Sequence, residues 1–248
     1  MRTDTPQYRD NWDTYWSATE QEQQISLWDA PPELASAMDL PRFAAHLDRN
    51  KVLIDLGCGN GTQTRYLAQH FAHVIGADVS PAAIKAASAA DPDTSYMVLD
   101  LFDTPAVEAL HERLGDANIY MRTVLHQILP EHRPAFARSL RTLLGTTGVL
   151  AFVELAPTAE QYLHDLVEHY GPPPGLTRVL STGVRPGSVD GPEALALLGS
   201  ENFTVLAEGD SVVHTTFTLP DGQQAQVPAY FLALRHSSGQ PSAPRAGD

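Results

Sequence analysis

The sequence predicts an α/β fold: a mostly parallel seven-stranded sheet covered by helices on both faces, with an antiparallel C-terminal hairpin and an N-terminal helical cover. Three observations carry this prediction. Short apolar runs alternate with stretches of helical spacing from Lys51 to Tyr170, the rhythm of a parallel sheet built from βαβ units. A glycine-rich turn closes the first apolar run at Gly57-Cys58-Gly59-Asn60-Gly61. Two β-rich runs near the end flank Pro220-Asp221-Gly222, a hairpin turn signal.

The N-terminal forty-odd residues precede any strand signal and carry Tyr8, Trp12, Tyr15, Trp16 and Trp28. Leu34 to Leu47 then places apolar residues at helical spacing, so residues 1–48 read as a helical cover or lid. Residues 49–236 read as the main domain. Its first strand is Lys51 to Leu56, a continuous apolar run suited to burial on both faces. Gly61 to Phe71 is a helix and His73 to Asp78 the second strand. Ser80 caps the next helix and Pro81 takes its first position, where no amide is needed; this helix runs to Ala90. Tyr96 to Asp100 is the third strand, Pro105 to Leu114 a helix, and Asn118 to Thr123 the fourth strand. Pro130 to Leu144 is a helix stopped by Gly145, followed by a fifth strand over Val149 to Glu154 and a helix over Thr158 to Tyr170.

The rhythm breaks at Gly171 to Pro192, whose five prolines and five glycines exclude a regular element and suggest a loop at a binding mouth. Pro192 to Leu198 is a short helix. Strand signals follow at Phe203 to Ala207, Ser211 to Leu219 and Gln223 to Leu234, and residues 237–248 read as a disordered tail.

The chain has 248 residues, 43% of them hydrophobic, enough for one substantial core. Its 16 Lys+Arg against 30 Asp+Glu give a formal charge of −14, which opposes binding to nucleic acid or to anionic membrane surfaces. Cys58 is the only cysteine, so no intrachain disulfide forms. The first residues lack the apolar core of a secretory signal, and no run approaches the ~20 apolar residues of a membrane span. The expectation is a cytoplasmic protein acting on a small molecule, with its oligomeric state open.

The chemistry concentrates at strand ends. Asp55-Leu56-Gly57-Cys58-Gly59-Asn60-Gly61-Thr62 leaves the first strand through a turn where a ligand can lie against bare backbone. The second strand ends in Asp78-Val79, 23 residues after Asp55, and an acid there can accept both hydroxyls of a ribose. The third ends in Asp100-Leu101, suited to an adenine edge. Three acids at three successive strand ends, with the D-x-G-x-G-x-G spacing of the turn, resemble the motifs of class I, Rossmann-like, S-adenosylmethionine-dependent methyltransferases over Lys51 to Glu154.

That resemblance implies S-adenosyl-L-methionine as the cofactor. Asp55, Gly57, Gly59 and Gly61 would shape its methionine pocket, with Cys58 and Gln63 lining the turn. Asp78 with Val79 would take the ribose, and Asp100 with Leu101 the adenine. Met121 and Arg122 would face the methionine moiety, largely through backbone. His126, after the fourth strand, is similar to the histidine that small-molecule O-methyltransferases use as a general base, and its unperturbed pKa suits that role. The acidic and tryptophan positions that follow it in those enzymes are Gln127 and Ile128 here. Glu154, at the end of the fifth strand, is expected near the substrate mouth. Tyr15 and Trp16 are candidate substrate contacts from the cover, since aromatic faces attract cations. The histidine pairs form no H-E-x-x-H, so no metal site is expected. The predicted activity is methyl transfer to O, N or C of a small acceptor, with a lean to oxygen. The alternatives are an adenosylmethionine-binding relative steering a non-methylating reaction such as cyclisation, and a nicotinamide-dependent oxidoreductase.

Overall fold

A computed structural model describes residues 7–21, 26–183, 187–199 and 202–237. The cover supplies α1 (Tyr8–Gln21) and α2 (Ser36–Phe43). Then β1 (Leu53–Leu56), α3 (Thr62–Ala68), β2 (Val74–Asp78), α4 (Pro81–Ala90) and β3 (Ser95–Val98) form one half of the sheet. The other half contains α5 (Thr104–Leu114), β4 (Asn118–Arg122), α6 (Arg133–Leu144), β5 (Val149–Leu155) and α7 (Ala159–Tyr170). The chain continues through α8 (Pro174–Ser181), α9 (Gly191–Leu198), β6 (Phe203–Thr218) and β7 (Gln224–His236).

The seven strands run in the order β3-β2-β1-β4-β5-β7-β6. The first five pair in parallel, whereas β7 pairs antiparallel with both β5 and β6. The predicted seven-stranded sheet with a C-terminal hairpin is thus the observed one. Each face is buried. Val107, Phe136 and Leu140 pack against Ile54, Ile119 and Met121 on one side. On the other, Leu40, Phe43 and Leu67 cover Leu53, Tyr120 and Ala151. β1 and β4 adjoin at the centre, where the chain order reverses, and ligands of such sheets bind beyond the strand C-termini at that point.

Two expectations are corrected. The 171–192 segment holds a helix, α8, because its prolines cluster at 172–174 and Pro174 occupies the first helical turn, where it displaces no amide bond. None of its described residues lines the cleft described below. Instead Val179 packs on Tyr15, and Gly175 lies against Leu27 of the cover. The two strand signals at 203–207 and 211–219 form the single strand β6, since a register shift between Val205 and Ala207 absorbs the irregularity. Residues 238–248 of the expected tail lie outside the described residues. Among the described residues no helix is long and apolar enough to cross a membrane.

The cover is anchored on α4. Ser80 Oγ accepts from the Ala83 amide at 3.1 Å, the predicted cap, and donates to Asp13 Oδ1 at 3.0 Å. The Ala82 amide donates to the same oxygen at 2.8 Å, so an acid of α1 sits at the positive end of α4. Asp13→Ala should therefore cost about 1–2 kcal/mol, lowering the melting temperature by several degrees and raising amide exchange along α1. Unchanged exchange in α1 would show that this contact does not anchor the cover.

Candidate active site

A cleft of about 1180 Å³, part of it open to solvent, lies beyond the C-terminal ends of the parallel strands. Its floor is the turn after β1, where Asp55, Gly57, Cys58, Gly59 and Gln63 contribute. Asp78, Val79, Asp100 and Leu101 add the ends of β2 and β3, and Arg122, Thr123 and Val124 the end of β4. Gly59 has φ +54°, and a Cβ on it would stand 2.5 Å from the Trp16 ring. Glycine here is what lets the aromatic cover rest on bare backbone.

The two acids at the adjoining ends of β1 and β2 are withdrawn from water. Asp78 Oδ2 accepts from the Gly59 amide and Oδ1 from the Ser80 amide, each at 2.9 Å. Burial raises its carboxyl above the ordinary value, against the pull of those amides. Asp55 Oδ2 accepts from Thr64 Oγ1 at 2.6 Å, yet burial, with the Asp78 charge adding, pushes its carboxyl up to about 7. Both carboxylates raise the buried Cys58 thiol further, so this cysteine is a neutral wall group and not a nucleophile. Asp100 Oδ1 accepts from the Phe102 amide at 2.9 Å, tying down the turn after β3.

The turn is laced to the cover. Asn60 Nδ2 donates to Asp29 Oδ2 at 2.5 Å. Gln63 Nε2 donates to the Ala30 carbonyl at 2.8 Å, and its Oε1 accepts from Ser36 Oγ at 2.7 Å. Gln63 therefore both lines the cleft and straps the 30–36 segment across it. At the end of β4, Thr123 has φ +56°, a costly value for a β-branched residue of roughly 1–3 kcal/mol. The Gln127 side chain donates to its carbonyl at 2.5 Å and helps hold this bend.

Several expected residues lie elsewhere. Gly61 does not line the cleft: at φ +78° it starts α3, and its missing Cβ makes room for the Tyr96 hydroxyl behind the turn. Met121 is buried in the core because the pleat turns alternate β4 side chains to opposite faces, sending Tyr120 and Arg122 the other way. Tyr15 is fully buried, bonded to Ser26 Oγ at 2.8 Å. Its neighbours Tyr8, Trp12 and Trp16, spaced four apart, face the cleft instead, and Trp28 joins them. Tyr8 stacks on Phe102 with centroids 5.4 Å apart and accepts from the Leu129 amide.

His126 and Glu154 are also absent from the lining. His126 is buried in a 3-10 turn over Leu125–Gln127, its Nδ1 2.6 Å from Glu154 Oε1. Glu154 Oε2 accepts from the Leu125 and His126 amides, and Oε1 from the Leu155 amide at 2.8 Å. Burial pushes Glu154 up, but His126 and these amides outweigh it and hold it below the ordinary carboxylate range. The exposed group His164, Asp165 and Glu168 on α7 is absent from the cleft lining and has no buried ligand.

A family model described as a methyltransferase domain matches residues 29–181. A SAM-dependent methyltransferase from Anabaena variabilis superposes with TM-score 0.89 at 37% identity, covering 95% of this chain and 98% of that one. Trans-aconitate 2-methyltransferase of Methylobacterium radiotolerans is 37% identical over 123 residues, 49% of this chain and 44% of the relative. The Escherichia coli K12 enzyme of the same name is 36% identical over 107 residues, 42% of this chain. These matches span less than half of either curated relative.

The Asp55 geometry sets a pH dependence. A carboxyl raised in the folded state adds stability that is full below about pH 4 and is lost as pH rises through about 7. Asp55→Asn stays neutral, so unfolding of ligand-free protein should show the variant gaining on the parent from pH 5 to pH 8. Parallel stability curves would mean that Asp55 ionises freely in the folded chain.

Proposed function

Because the chain belongs to the S-adenosylmethionine-dependent methyltransferases, we propose that it transfers a methyl group from that donor to an oxygen of a small carboxylic acid. The observation that carries this reading is the make-up of the cleft: buried acids at the ends of β1 and β2, and no histidine among the described lining residues.

The residues present fit the donor. Asp78 uses two of its roughly four acceptor positions on backbone amides and keeps the rest for ribose hydroxyls. Asp100, Leu101 and the stacked Phe102 offer a slot for adenine. Gly57, Cys58 and Gly59 line the space for the methionine part, and Trp12, Trp16 and Trp28 exclude water above it. The donor, when bound, supplies a methyl group on positively charged sulfur, and the desolvated Asp55 and Asp78 favour that charge. Well-held geometry can contribute on the order of 7–11 kcal/mol to such a displacement.

The acceptor follows from the absence of a histidine among the described lining residues, where Asp55, Asp78 and Asp100 are already engaged by Thr64 and backbone amides. An ionised carboxylate carries no proton to remove, whereas a phenol or alcohol needs one taken away. The names of the trans-aconitate methyltransferases support an anionic acceptor. His126 and Glu154 then act as positioning residues: their bond and the three amides on Glu154 hold the turn that carries Thr123 and Gln127.

Release of S-adenosylhomocysteine should be measured with panels of small carboxylates, phenols and amines. Turnover is expected with carboxylates; turnover confined to phenols or amines would overturn the acceptor assignment. In the productive assay, His126→Asn should leave the pH profile unchanged. A 10²–10⁴-fold loss of turnover, with the ascending limb near the histidine pKa abolished, would make His126 the base after all.

A further inference from the structure

Arg122 ends β4 and lines the cleft, but its charge is poorly matched. The side chain is 10% exposed. Nη1 stands 3.6 Å from Asp39 Oδ2 and makes no hydrogen bond, while Nη2 reaches the Val212 carbonyl only at 3.5 Å. A guanidinium presents five donors in a rigid fork, and a buried cation is costly unless paired and hydrogen-bonded. Asp39 does not complete it. Its Oδ2 already accepts from Tyr120 at 2.8 Å, and its Oδ1 stands 3.5 Å from Arg42. Burial also raises the Asp39 carboxyl despite both arginines. Arg42, a quarter exposed, also donates to Ser211 Oγ at 2.6 Å and lies over the Phe231 ring, whereas the more buried Arg122 has only the shared Asp39 beside it as a paired acid.

We propose that Arg122 is the acceptor's anchor and a specificity determinant, gripping a carboxylate of the substrate through its guanidinium fork. This rests on the methyl-transfer reading above. The donor's residues belong to the ends of β1, β2 and β3; Arg122 borders them, one place beyond the Leu56–Met121 register pair, but the partners of its side chain come from α2 and β6. Guanidinium and carboxylate match in shape and charge, which lysine cannot reproduce. A carboxylate held this way has lost much of its nucleophilicity, so the gripped group and the methylated group are different. The acceptor class is therefore a di- or tricarboxylate.

Calorimetry on wild type, Arg122→Gln and Arg122→Lys tests this. Each is titrated first with S-adenosylhomocysteine and then, when saturated, with fumarate, itaconate, trans-aconitate and benzoate. Wild type should bind at least one di- or tricarboxylate more tightly than benzoate. The Gln variant should lose that affinity on the order of 10- to 100-fold, and the Lys variant less, with S-adenosylhomocysteine affinity within about twofold throughout. In turnover assays KM should rise while kcat stays close to wild type. The proposal is overturned if no di- or tricarboxylate binds wild type, or if carboxylate affinity survives in the Gln variant. A parallel fall in S-adenosylhomocysteine affinity would also overturn it, by assigning Arg122 to the donor's own carboxylate. Failure of wild type to bind S-adenosylhomocysteine would sink the methyl-transfer reading itself. Melting curves accompany each variant; if the Gln form does not fold, the Lys form, which keeps a charge beside Asp39 without the fork, carries the comparison.

Discussion

Two carboxylates held out of water at neighbouring strand ends are the constraint on which the rest of this site depends. Asp55 and Asp78 both have raised carboxyl pKa values because they are buried, and Asp78 raises Asp55 further. Like charges in such a place are unfavourable unless something offsets them. The glycine turn supplies part of the offset, since it brings the Gly59 amide onto Asp78, and Thr64 reaches back to Asp55 from the first helix after the turn. The remainder is available to a cation. Burial that destabilises the free protein at neutral pH is, in the proposed reading, what favours a positively charged ligand there.

The cover completes this arrangement. Asp13 at the start of α4, Asn60 with Asp29, and Gln63 with Ala30 and Ser36 fasten the N-terminal segment to the turn and to the helix that follows β2. The aromatic stripe of α1 is thereby held over the turn, with Trp16 against Gly59. Arg122, Asp39 and Tyr120 form a second polar centre on the β4 side, of opposite character. An acidic pole on the β1–β2 side and a basic one beside it suit a reaction that joins a cation to an anion and leaves two neutral groups.

Much of this was legible in the sequence because the determinants are local. A strand ending in D-x-G-x-G-x-G and a second ending in Asp78 put both acids at one end of a parallel sheet, and the cap at Ser80 with Pro81 is a four-residue signal. What could not be read depends on residues far apart. His126, expected as a base, is buried outside the cleft lining and paired with Glu154, which lies 28 positions away. Gly61 looked like part of the cradle, yet Tyr96 decides its role. Tyr15, a candidate contact beside Trp16, is buried, whereas the four-residue period through Tyr8, Trp12 and Trp16 marks the face that turns to the cleft. Composition misled at 171–192, where the position of the prolines, and not their number, permits α8.

The central claim is that a cation and the Asp55 proton compete for the same buried acidic pole. Calorimetry at pH 7 in two buffers of different ionisation enthalpy counts the protons released when ligand binds. With Asp55 titrating at about 7, S-adenosylmethionine should displace up to about half a proton, whereas S-adenosylhomocysteine, lacking the sulfonium charge, should displace close to none. Asp55→Asn should abolish the difference. Equal proton release for the two ligands, or a difference that survives in the Asn variant, would contradict the account.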